Sequence, residues 1–111
     1  MKREGIKIGG DKMAKFLILW ENDMTKMPTD LKELVTLRSK MMNMVKDDLK
    51  SGRMKDWGKF AGENTGYAIA EGTEKEIDLG LARYVPYVKF KVQAIISASQ
   101  MEEVFKALLQ A

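Results

Sequence analysis

Moving a proton on a small organic molecule takes an acid and a base held over one atom, and alternating segments of this chain offer both. Tyr67, Ile69 and Glu71 share one face of residues 66–71, and Lys89, Lys91 and Gln93 share one face of residues 88–96. Trp57 and Lys59 share a face of a third segment. Trp20 and Glu21 lie on opposite faces at the end of a fourth, at the mouth of any pocket. A second sheet closed over such a face would partly desolvate Lys91, Tyr67 and Glu71, the condition that shifts pKa values. Lys91 or Tyr67 as acid, with Glu71 as base, would then act on a carbonyl or lactone. The ligand-binding candidates are Trp20, Glu21, Trp57, Lys59, Tyr67 and Lys91. The lysines also read as ordinary edge-strand charges that discourage aggregation, and the sequence alone favours that plainer reading.

Other chemistries are poorly served. The 111 residues contain neither cysteine nor histidine, which removes disulfides, thiolate zinc sites, a cysteine nucleophile and the usual general base. Gly52 to Gly58-Lys59 has five intervening residues where a phosphate loop needs four, and Phe60 stands where Ser or Thr belongs. An RNA-recognition strand is matched at Gly66, Tyr67 and Ala68 but fails at Thr65, Ile69 and Gly72, while Glu71 repels a polyanion. Met41 and Met42 continue a core stripe, as methionine often does. The carboxylate pairs Asp47-Asp48, Glu74 with Glu76, and Glu102-Glu103 read as solvated helix faces. No metal, cofactor or nucleic acid is expected.

Net charge is +3, but residues 1–12 hold four cations against two anions, so residues 13–111 carry 15 against 14. A nearly neutral domain offers no long-range field to a polyanion. Residues 1–12 read as a flexible basic leader, with Met13 as the expected start of a single domain over 13–111. Nothing resembles a signal peptide or a membrane span, so a cytoplasmic protein with no membrane partner is expected. A chain of this length buries roughly 65% of its unfolded surface, enough for a core.

The elements that must position the candidates follow from periodicity. Residues 16–20, Phe-Leu-Ile-Leu-Trp, form a short apolar run that predicts a strand buried on both faces. Thr29 or Asp30 caps a helix whose Leu31, Leu34, Val35, Arg38, Met41, Met42, Val45 and Leu49 make one stripe, with Gly52 after its end. Residues 55–61 and 66–71 form a hairpin around residues 62–66. Thr73 and Glu76 form a capping box for a helix carrying Ile77, Leu81, Tyr84 and Val85, which Pro86 ends. Residues 88–96 alternate as a strand. Ser99 and Glu102 have the spacing to cap a last helix with Met101, Val104, Phe105, Leu108 and Leu109 on its stripe.

The order β-α-β-β-α-β-α contains the ferredoxin-like split βαβ arrangement, an antiparallel sheet with helices on one face. The first strand is apolar on both sides, so its second face needs a cover, and a second copy of the chain is the economical one. Residues 52–96 resemble muconolactone isomerase-like members of the dimeric α+β barrel superfamily. The resemblance rests on the Gly-containing turn before the second strand, Trp57 within it, Ala61-Gly62 at its end, Tyr67, and Pro86-Tyr87 before an alternating strand. Residues 13–21, which open a strand directly after Met13, look similar to small archaeal and bacterial proteins of the same superfamily. The resemblance implies a homodimer whose sheets form a barrel, with pockets between sheet and helices for aromatic or lactone-like molecules. Many catalytic relatives use a histidine, and haem-handling ones need it as a ligand; its absence here argues against haem and carries no catalytic residue over. The expected function is small-molecule binding by a homodimer, with cofactor-free isomerase chemistry as the activity to look for. The alternative is a non-catalytic metabolite- or protein-binding regulatory module, and RNA binding on the sheet face ranks third.

Overall fold

A computed structural model describes residues 13–111; the expected leader, residues 1–12, lies outside the described residues. Strand β1 (Ala14–Asn22) leads through a single 3-10 turn, Met24–Lys26, to helix α1 (Leu31–Ser51). Strands β2 (Met54–Lys59) and β3 (Thr65–Gly72) form the hairpin. Helix α2 (Glu74–Ala82), strand β4 (Val88–Ile95) and helix α3 (Ala98–Gln110) complete the chain. The four strands form one antiparallel sheet in the order β2-β3-β1-β4. The protein is therefore α+β, with a four-stranded antiparallel sheet and three helices, compatible with the expected arrangement.

Local chemistry sets the boundaries. The Asp30 carboxylate accepts from the Glu33 amide at 3.0 Å and starts α1. Gly52 ends it in the left-handed region at φ 86°, where its amide donates to the Leu49 carbonyl at 3.2 Å. The Thr73–Glu76 capping box forms in full: the Glu76 amide donates to Thr73 Oγ1 at 3.2 Å and the Thr73 amide to Glu76 Oε1 at 2.9 Å. Helix α3 corrects the expectation at its start. Ser97 with Gln100 makes the box in place of Ser99 with Glu102, because β4 stops at Ile95 and leaves Ser97 as the first extended residue ahead of the helix.

The inward face of β1 carries Phe16, Ile18 and Trp20, all buried, while β3 sets Ala70, Ala68 and Gly66 directly beside them. Val45 of α1, Met54 of β2, Ile77 of α2, Tyr84, and Val88 of β4 close this core. An irregularity in pairing between Met54 and Asp56 lets two residues of β2 answer one of β3. It brings Met54 and Trp57 to the core side and turns Asp56 and Gly58 outward.

Three further expectations need correction. Helix α2 ends at Ala82, so Tyr84 sits in the following turn, buried, and Val85 is 61% exposed. The α1 stripe is covered only in its C-terminal half: Val45 is buried, whereas Leu31 is 72% and Val35 53% exposed. Asp48, read as solvated, is 4% exposed. It stands three residues beyond Val45 on the covered stripe, and its carboxylate accepts from Arg53 at 2.8 Å, from Arg83 at 2.5 Å and from the Tyr84 hydroxyl at 3.4 Å. One carboxylate thus ties the end of α1 to the start of β2 and the end of α2.

Removing a partner from a buried ion pair costs about 3–5 kcal/mol, and two arginines that keep contact with water lower that figure. Asp48→Ala is expected to lose about 2–3 kcal/mol in urea unfolding, and the adjacent exposed Asp47→Ala less than about 0.5 kcal/mol.

Candidate functional site

The largest residue of β1 lies across the smallest of β3. A side chain at Gly66 would collide with the Trp20 indole and with the Gly58 carbonyl, so only glycine admits the ring there. The Trp20 indole N–H donates to the Tyr67 carbonyl at 3.3 Å, and its ring stacks on Trp57 with centroids 5.3 Å apart and planes 9° from parallel. On the other side Tyr84 meets Phe90 edge-on at 6.0 Å.

Between these aromatics and α1 lies a cavity of about 170 Å³. Trp20, Trp57, Phe90 and Tyr84 form its aromatic walls, Met41, Met42 and Val45 of α1 its roof, and Ile18 and Ala68 part of its floor. Its polar lining consists of Asn22, Arg38, Lys59 and the tyrosine, with no carboxylate. Flexible thioethers against flat rings make a wall that adapts to a guest.

The mouth is built from three segments. The Asn22 amide donates to the Asn64 carbonyl at 2.9 Å, joining the end of β1 to the β2–β3 loop. Arg38, two turns into α1, donates from Nη2 to Asn64 Oδ1 at 2.9 Å and lies 3.9 Å from Met24 Sδ. Asp23 caps the 3-10 turn; the Thr25 hydroxyl donates to its carboxylate at 2.6 Å and holds that carboxyl below the usual range. Arg38 was visible in the sequence as a cation inside an apolar stripe, which is the signal for a charge placed at a cavity edge.

The candidate residues divide between two faces of the sheet. Trp20, Trp57 and Lys59 line the cavity together. Glu21, Tyr67, Glu71 and Lys91 belong to the opposite, open face, with Leu17, Leu19 and Ile69. Tyr67 and Lys91 both lie in register with Leu19, one on each side, so two strand spacings, about 10 Å, separate their backbones. Glu71 is four residues along β3 from Tyr67, about 13 Å, and pairs with Lys55 at 3.6 Å. The Tyr67 hydroxyl donates to Asp56 at 2.6 Å, and that hydrogen bond, with some desolvation, raises its pKa. Within one chain the three acid–base candidates therefore do not converge. Among the described residues no cluster of three carboxylates is placed to hold a metal ion, and no helix is long and apolar enough to cross a membrane.

Tyr84 is the cavity residue with the largest shift. Burial first, then the neighbouring Asp48 carboxylate, push its phenol up to about 12. An unfolded tyrosine titrates near 10, so this contribution to stability is complete below about pH 10 and is lost as pH rises through 12. In an alkaline titration followed by tyrosinate absorbance, the last step is expected to belong to Tyr84 and to vanish in Tyr84→Phe.

Compared with known proteins, the chain matches no family model and no curated protein.

Proposed function

We propose that this protein binds a small organic molecule in the cavity between its sheet and α1, and that it does so as a homodimer of ferredoxin-like subunits whose open sheet faces meet to form an α+β barrel. The observation that carries the reading is the cavity: a half-open, largely aromatic chamber with a few polar groups in its lining, the usual constitution of a ligand site. A cavity of about 150 Å³ lined by apolar side chains accepts a single benzene ring, so a monocyclic guest is the right size here.

The dimer is supported by what one chain leaves uncovered. Leu19 at the centre of the open face is 40% exposed, with Leu17, Tyr67 and Ile69 only half buried around it. Around it Lys15 stands in register with Glu71 and Glu21 with Lys89, so charges of opposite sign alternate within one chain about an apolar centre that a second copy can cover. In such a dimer Tyr67, Glu71 and Lys91 serve the interface and the barrel interior. Binding, not turnover, is the activity that the cavity itself supports, since its wall holds no carboxylate to act as base.

Two measurements test the two parts. A panel of benzoate, benzamide and phenol is expected to raise the melting temperature of the full chain by mass action, and Ala68→Leu, which projects into the cavity, to abolish that rise while the variant still folds. A flat response to all three compounds would contradict the cavity reading. Light scattering is expected to give twice the 12.6 kDa chain mass, and Leu19→Lys, which places a charge at the centre of the open face, to give one chain mass. A wild-type monomer at all concentrations would contradict the dimer.

A further inference from the structure

We infer that the molecule held in the cavity is an organic anion, a single-ring aromatic or comparably sized apolar body bearing one carboxylate that Arg38 grips with Lys59 beside it. This rests on the cavity being a binding site and adds its chemical selectivity. The lining contains two cations and no anion, and among the described residues neither Arg38 nor Lys59 forms an ion pair. The guanidinium is nonetheless fixed in place. Nη2 donates to Asn64 Oδ1 at 2.9 Å and, weakly, to Met24 Sδ at 3.9 Å. Of the five N–H donors that an arginine carries, those on Nε and Nη1 find no partner among the described residues. Among the described residues Lys59 reaches only the neighbouring Phe60 carbonyl, at 3.5 Å.

A guanidinium oriented by a neutral amide suits a carboxylate, which takes an open N–H on Nε or Nη1 and completes a bidentate pair through Nη2 by displacing the weak Met24 sulfur acceptor. The rest of the guest must be apolar and thin, because the walls are the stacked Trp20–Trp57 pair, Phe90 and three methionines. A phosphate-bearing nucleotide or a sugar acid would leave its hydroxyls facing rings and thioethers without partners. The volume of about 170 Å³ suits a body of one ring with a short substituent.

Calorimetric titration of the full chain at pH 7 with benzoate, benzamide and benzylamine separates the possibilities. The three share a ring and differ in charge at the substituent. Benzoate is expected to bind at least about tenfold more tightly than benzamide, benzylamine not at all, and benzoate binding to weaken as salt is raised. Arg38→Met is expected to cost benzoate about tenfold or more and to leave benzamide unchanged; Arg38→Lys, which keeps the charge and loses the fork, should fall between. Equal affinity for benzoate and benzamide, or benzoate binding indifferent to Arg38→Met, overturns the anion assignment while leaving the cavity as a site. No heat from any of the three overturns the cavity reading and this inference together.

Discussion

Strand β3 shows the helix layer nothing larger than alanine: Gly66, Ala68, Ala70 and Gly72 occupy every inward position. The neighbouring β1 answers with Phe16, Ile18 and Trp20. Large residues on one strand can lie flat over small ones on the next, and Gly66 makes room for the indole that Trp57 then stacks upon. The same small floor keeps α1 from meeting the sheet everywhere at van der Waals distance. The unfilled volume is the cavity, so the device that seats Trp20 also leaves the space for a guest.

A second constraint holds α1 at its height. Asp48 is anchored by two arginines from different elements and by Tyr84, and at the other end Arg38 is tied to the β2–β3 loop through Asn64. Between these anchors Met41, Met42 and Val45 span the cavity as a roof. Collapse onto Ala68 would require one anchor to yield, and leaving the Asp48 charge without its partners is costly. The chamber is therefore held open by polar contacts at both ends of the helical segment that covers it.

Much of this was legible in the residues. Capping chemistry at Asp30, Gly52 and Thr73 marked the helices, and alternation marked β3 and β4. Strand parity places Trp57 and Lys59 on one surface, and it holds because the irregularity in β2 lies ahead of Trp57; that Trp20 joins them depends on the register between strands. Parity does not reveal which face of the sheet the helices take, so it leaves Tyr67, Glu71 and Lys91 free to join the same site, whereas they occupy the other side. Asp48 looked like half of a solvated pair because adjacent acids diverge on a helix; its spacing from Val45 was the sign of burial. Arg38 stood in the apolar stripe, and its role depends on Asn64, 26 residues away, which no local pattern links to it.

Helix α3 marks where a single chain stops accounting for its own surface. Its box at Ser97–Gln100 fixes its start, yet Phe105 is 55%, Leu108 66% and Leu109 87% exposed. The radius of gyration, 17.6 Å, exceeds the roughly 13 Å of a compact domain this size. Together with the open sheet face, the helix adds to the apolar surface that self-association would cover.

Uptake of an aromatic carboxylate by the chamber over β3, as proposed above, is reported most directly by the methionine methyl groups. Met41, Met42 and Met54 line the cavity, while Met101 lies on α3 away from it. In a ¹H–¹³C spectrum of methyl-labelled methionine, adding benzoate is predicted to move the first three by ring-current shifts and to leave Met101 in place. Shifts at Met101 with none at Met41, Met42 and Met54 would place the ligand elsewhere and contradict the account.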